Sequence, residues 1–104
     1  YQSSCRPVSV EPTPLMPTQF MLYQNYPNPF NPTTRIEYDI PAQSIVQLSV
    51  FNLLGEKVAT LINGVEDAGF TSVTWNASGI ASGVYLYRLQ AGRFLNTKKL
   101  ILLR

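Results

Sequence analysis

The sequence predicts an all-β fold of two antiparallel sheets packed face to face. Three observations lead there. From Thr34 onward apolar residues recur with a period of two, turn-forming Gly, Asn and Pro divide the chain at short intervals, and no segment has a helical period. About six or seven short strands of this kind, in one stretch too short for a second core, form an antiparallel β-sandwich of the immunoglobulin-like type.

Taken in order, residues 1–21 stand apart from the rest. Pro7, Pro12, Pro14 and Pro17 recur among Ser, Thr and Gln. They fix φ and remove backbone donors, so this stretch reads as an extended linker. The chain opens on Tyr1 without a signal peptide's basic and apolar regions, so it is expected to be an excised fragment with a cargo domain upstream. The sandwich is assigned to residues 22–104. It is preceded by Tyr26-Pro27-Asn28-Pro29-Phe30-Asn31-Pro32, which interleaves prolines with asparagines and stiffens the chain. Two readings stay open here: a rigid lead-in whose aromatics Tyr26 and Phe30 plug the sandwich, which composition favours, or a peptide-like recognition strip.

Ile36, Tyr38 and Ile40 alternate with Arg35, Glu37 and Asp39, as a strand with one buried and one wet face requires, and Pro41 ends the run. Val46, Leu48 and Val50 share a face of the next strand. Asn52-Leu53-Leu54-Gly55 then turns the chain, and Lys57 to Ile62 returns as a hairpin. Asn63-Gly64 and Ala68-Gly69 read as punctuation before Phe70 to Asn76, where Thr71, Val73 and Trp75 share a face. After the small-residue loop Ala77 to Gly83, Val84 to Gln90 forms a strand, Ala91-Gly92 turns it, and Phe94 to Leu103 closes the chain. The run Leu100-Ile101-Leu102-Leu103 is apolar on both faces, so it is expected to be covered on both sides or to extend a sheet beneath a loop.

Composition narrows the function. The 104 residues contain no His and one Cys, which removes the usual general base, the Cys/His nucleophile pair and most zinc sites. No enzyme activity, metal or cofactor is expected. Cys5 lies in the Pro-rich tail and is assigned no role. The longest apolar run, Leu100 to Leu103, is far short of a membrane-spanning helix.

No acid follows Asp67, whereas Arg88, Arg93, Lys98, Lys99 and Arg104 do. Solvated strand faces that discourage aggregation account for this pattern, and a docking surface for an acidic partner is the functional alternative. Nucleic acid is not expected, because the aromatics alternate as a core would rather than standing beside the charges. Trp75, Tyr85 and Tyr87 sit at same-face strand positions, as core residues rather than as a sugar-stacking platform. Asn76-Ala77-Ser78 reads as a turn. Lys98 and Lys99 must point to opposite sides of their strand, so one of them stays wet.

Together, Leu22-Tyr23-Gln24-Asn25-Tyr26-Pro27-Asn28-Pro29-Phe30-Asn31-Pro32, the Gly55 turn, Ser82-Gly83-Val84-Tyr85-Leu86-Tyr87-Arg88-Leu89 and the ending Lys98-Lys99-Leu100-Ile101-Leu102-Leu103-Arg104 resemble the type A C-terminal sorting domain of the bacterial type IX secretion system. Residues 22–104 are also similar to the immunoglobulin-like module of flagellar hook-capping proteins, which has a structural role. The sorting resemblance implies a signal read in the periplasm and passage of an upstream cargo through an outer-membrane pore. It also implies removal by a sortase-like protease and cell-surface anchoring. Its recognition elements fall on Pro27, Asn28, Pro29, Phe30, Gly83, Tyr85, Lys98 and Lys99.

Overall fold

A computed structural model of the chain describes residues 16–103. Most of the proposed linker, with Cys5, and the terminal Arg104 lie outside the described residues. Seven strands are present: β1 (Met21–Leu22), β2 (Thr33–Ile40), β3 (Ser44–Phe51), β4 (Lys57–Glu66), β5 (Gly69–Asn76), β6 (Gly83–Ala91) and β7 (Phe94–Leu102). They form a three-stranded sheet in the order β1-β2-β5 and a four-stranded sheet in the order β4-β3-β6-β7. Every strand pairing is antiparallel, and no helix occurs among the described residues. The expected all-β sandwich is the fold.

Connections follow the turn chemistry. After Ile40 the chain leaves the first sheet at Pro41, which cannot donate to a ladder, and the Ser44 hydroxyl donates to the Ala42 carbonyl at 2.8 Å. The β3–β4 hairpin is organised by Asn52, whose Oδ1 accepts the N–H groups of Leu54 and Glu56, both at 2.9 Å. Gly55 sits there at φ 87°, which a side chain rarely tolerates. Asn76 makes a comparable turn, its Oδ1 accepting from the Ser78 amide and hydroxyl, as the turn reading of Asn76-Ala77-Ser78 expects. Ala91 pairs with Phe94 across the two-residue loop Gly92-Arg93.

Two elements depart from expectation. Asn63-Gly64 does not interrupt the chain: Asn63 pairs with Gln47 and Gly64 with Val46, and β4 continues to Glu66. The reason is its place at the edge of the sheet, where a flexible residue has one neighbour to satisfy and register shifts beside Leu48 and Val50 absorb the irregularity. The change of sheet falls instead at Asp67-Ala68. In addition, Met21 and Leu22 pair with Asp39 and Tyr38 as a short edge strand. Just before it, the Phe20 ring stacks on Phe94 at 5.4 Å between centroids, so packing reaches slightly ahead of residue 22.

The core lies between the sheets. Ile36, Tyr38 and Ile40 from β2 face Val46, Leu48, Val50, Tyr87 and Leu89 from the larger sheet, all fully buried. Leu100 and Leu102 are buried as well, so the C-terminal strand belongs to the core as anticipated.

Candidate functional site at the crossover strip and the C-terminal strand

Residues 21–30 stitch the two sheets together. The first half runs along β2: the Tyr23 N–H donates to the Glu37 carbonyl at 3.0 Å, and Tyr26 and Arg35 exchange backbone hydrogen bonds at 2.9 Å. At Pro27 the chain crosses to the other sheet. The Phe30 N–H then donates to the Ile101 carbonyl at 3.0 Å, and the Leu103 N–H donates to the Phe30 carbonyl at 2.9 Å. Residue 30 thus adds a parallel bridge opposite Leu102. Asn28 completes the edge, its Oδ1 accepting the Ile101 N–H at 2.9 Å, and Gln24 Nε2 donates to the Lys99 carbonyl at 2.7 Å. The X-Pro bonds at Pro27, Pro29 and Pro32 are cis.

A buried polar knot holds the crossover. Asn25 is 2% exposed and Thr34 1%. Asn25 Nδ2 donates to Thr34 Oγ1 at 2.9 Å and to the Pro27 carbonyl at 3.1 Å, while the Thr34 hydroxyl donates to that same carbonyl at 2.9 Å. From β6 the Tyr87 hydroxyl reaches into the knot. It accepts the Asn25 N–H at 2.8 Å and donates to the Tyr23 carbonyl at 2.7 Å. Burial pushes this phenol up to about 12. Tyr38 is raised too, first by burial and then by the charge of Glu66, to which its hydroxyl donates at 3.1 Å. On the opposite face of β2, the Tyr23 hydroxyl donates to the buried Asp39 carboxylate, which raises the Tyr23 phenol.

Of the candidate residues inferred from sequence, Phe30 and Gly83 meet at one end of the larger sheet, whereas Lys98 and Lys99 lie mid-strand in β7. Gly83 pairs with Leu102 on the inner side of β7 and Phe30 bridges Leu102 on the outer side, so motifs far apart in sequence flank one residue. Phe30 is 2% exposed, with its ring tilted against Trp75 at 5.8 Å. It is the plug, whereas Tyr26, expected to share that role, is 76% exposed. Tyr26 pairs through its backbone with Arg35 on β2, before the chain crosses. Pro27, Asn28 and Pro29 are exposed. Gly83 adopts φ 157°, beside the Tyr85 ring.

Tyr85 is largely buried, and its hydroxyl donates to the Ala81 carbonyl at 2.6 Å. This closes the loop entering β6 in the manner of a tyrosine corner. Trp75, Tyr85 and Tyr87 are core residues and present no platform for a sugar ring. Lys98 is half-buried on the core side of β7 opposite Tyr87, and Lys99 is exposed on the outer face opposite Leu86, as the strand period requires.

What sequence reasoning missed is the knot. Asn25, Thr34 and Tyr87 have no shared spacing; only the surplus hydroxyl of a core tyrosine, which needs a partner when buried, signals it.

The family model of the secretion system C-terminal sorting domain matches residues 24–103, nearly all of this architecture. The chain belongs to that family. It is the family whose motifs the sequence resembles, and the matched range spans the strip, the tyrosine corner and the C-terminal strand of this sorting domain. No curated protein matches the chain. Among solved structures it is similar to PorZ, an essential bacterial surface component of the type-IX secretion system of Porphyromonas gingivalis. The two are 22% identical over 80% of this chain and 11% of that one, with a TM-score of 0.57. That likeness is one of fold, and the sorting domain spans about a tenth of the PorZ chain.

Proposed function

We propose that residues 22–104 are the folded C-terminal address of a cargo protein, read by the type IX machinery so that the cargo crosses the outer membrane. The observation that carries this reading is the convergence at Leu102. The Tyr-Pro-Asn-Pro-Phe strip, the Gly-Val-Tyr strand and the final strand, the motifs that carry the family resemblance, close a single end of the sandwich. Leu102 of β7 joins Gly83 to Phe30, so in this reading the signal is complete only when β7 has been added to the sheet. Several of the candidate residues, Phe30 and Tyr85 above all, act by building that end; the exposed groups available to a partner are Pro27, Asn28, Pro29 and Lys99, with Lys98 at the margin. The domain performs no reaction itself. In the same reading, a sortase-like protease cuts in the Pro-bearing segment that begins at Val8, ahead of the Phe20 and Met21 contacts with the sandwich, and the freed cargo is anchored at the cell surface.

The test is a periplasm-directed reporter carrying residues 1–104 at its C-terminus, expressed in a bacterium with a type IX translocon and in an isogenic strain lacking it. Reporter at the cell surface or in the medium of the first strain only is the expected result. Retention in the periplasm of both strains would refute the proposal.

A further inference from the structure

The two outer faces of the sandwich differ in a way that solvation does not explain. On the three-stranded sheet the outward residues of β2 and β5 are largely polar, Thr33, Arg35, Glu37, Ser72 and Thr74 among them, with Phe70, 52% exposed, as the apolar exception. That is the pattern of a wet face. On the four-stranded sheet the register places Phe51 beside Leu86 and Val84 beside Ile101, all on the side opposite the buried Val50, Tyr85, Tyr87 and Leu100. These four side chains are half-buried, although no strand among the described residues covers them. The hairpin that leaves the sheet at Phe51 carries Leu53 and Leu54, 67% and 84% exposed, at the same end. An apolar surface of this kind on a small domain marks an interaction site.

Its rim is basic. In the cross-strand row Lys57–Phe51–Leu86–Lys99, an amine stands at each margin. Arg88, one pleat along β6, lays its guanidinium over the Phe51 ring at 4.5 Å from the centroid. Among the described residues no strand residue of this face is acidic: Glu37 and Asp39 belong to the other sheet, Glu66 accepts from the core hydroxyl of Tyr38, Asp67 lies between β4 and β5, and Glu56, in the hairpin with Leu53 and Leu54, is held by Asn52 Nδ2. Among the described residues the ion pair is Arg35–Glu37, so Lys57, Arg88 and Lys99 have no acidic partner among them.

Building on the sorting role, we infer that the outer face around Phe51, Leu86 and Ile101 is where the domain docks, and that its partner is a protein surface with apolar residues ringed by carboxylates. Apolar contact supplies the burial and the cations select the partner and speed encounter. A second copy of this chain fits poorly, because a two-fold axis through the face would set cation against cation. The arginine fixed on an aromatic ring is a protein-interface feature, while an anionic membrane would be met by mobile lysines.

The deciding experiment compares reporter fusions in the translocon-proficient strain. Lys57→Glu with Arg88→Glu leaves Lys98, Lys99 and the crossover strip intact; Arg35→Glu alters the polar sheet instead. Expected are an unchanged melting temperature for both, wild-type export of the Arg35→Glu fusion, and export of the double variant reduced about tenfold or more by like-charge repulsion. Should the double variant melt early, Lys57→Gln with Arg88→Gln decides by the same comparison. Wild-type export of a folded double variant would overturn the docking face while leaving the sorting role standing. Retention of the unaltered fusion would overturn both. Two further results would assign the face elsewhere and so overturn the inference: a wild-type dimer in sedimentation that the double variant abolishes, or binding to phosphatidylglycerol vesicles that it abolishes.

Discussion

Tyr87→Phe removes one oxygen atom from the middle of the molecule and is expected to loosen its N-terminal crossover. The ring remains to fill the core, so no cavity term enters. What is lost is the bridge from β6 to the strip: the Asn25 N–H, 2.8 Å from the hydroxyl, and the Tyr23 carbonyl, 2.7 Å from it, lose their partner. Asn25 is 2% exposed, so water does not replace the acceptor. An unsatisfied buried donor costs about 1–3 kcal/mol. For a domain of this size each kcal/mol moves the midpoint by roughly 4–8 °C, which puts the expected fall in melting temperature near 10 °C.

The same variant has a pH signature. The folded phenol is raised from 10.0 to about 12, so the unfolded chain gives up its proton first as pH rises. Stability from this group is fully present below pH 10 and is lost as pH approaches 12, a loss on the order of 2 kcal/mol. In Tyr87→Phe that share of the alkaline loss disappears, and the fall in stability above pH 10 becomes shallower. Denaturant melts of both proteins at neutral pH and across the alkaline range supply the comparison. A variant that melts with the wild type at neutral pH, or loses stability as steeply at high pH, would refute the role given to this hydroxyl.

Leu100→Ala and Leu102→Ala should each cost about 2–5 kcal/mol, because both side chains are fully buried, whereas Lys99→Ala should stay within about 0.5 kcal/mol; urea melts of the three variants separate them. Tyr85→Phe removes the hydroxyl held at 2.6 Å by Ala81 and should cost about 1 kcal/mol, with amide exchange rising first in residues 77–82. Uniform exchange across the domain would deny it a local role in closing that loop. Asn28→Ala should raise the exchange rate of the Ile101 amide, which donates to Asn28 Oδ1 at 2.9 Å, while leaving the Leu100 amide slow on the inner side of β7.

The strands were legible because burial on one face leaves a period of two, and Ile36, Tyr38, Ile40, Val46, Leu48 and Val50 occupy the core positions their alternation indicates. Asn63-Gly64 misled because local turn propensity was read without knowing that β4 is an edge strand, where pairing on one side suffices. β1 is short enough to have no period at all, and it exists because β2 offers it a free edge. The proline strip could be read as plug or as signal from its composition. The structure divides it residue by residue, burying Phe30, exposing Tyr26 and tying Asn28 to Ile101. The polar knot of Asn25, Thr34 and Tyr87 joins three positions with no common spacing, so it emerges only from the packed chain. The apolar outer face was hidden for a related reason. Phe51, Leu86 and Ile101 lie on different strands, and only the register sets them side by side with Lys57, Arg88 and Lys99 near them.

The claim that matters most is that the address is the folded sandwich and not a linear peptide, and one fractionation measures it. Reporter fusions carrying wild-type residues 1–104, Lys99→Ala, and Leu102→Asp are expressed in the translocon-proficient strain, and surface and periplasmic reporter are quantified beside the melting curve of each domain. Leu102 pairs with Gly83, is bridged to Phe30 and is fully buried, so a carboxylate there should unfold the sandwich from the end where the motifs meet while leaving the rest of the sequence, every exposed motif residue included, unchanged. The account predicts that the wild-type reporter reaches the surface and that the Leu102→Asp reporter stays in the periplasm with its domain unfolded. Export of the unfolded Leu102→Asp fusion at the wild-type level would contradict it.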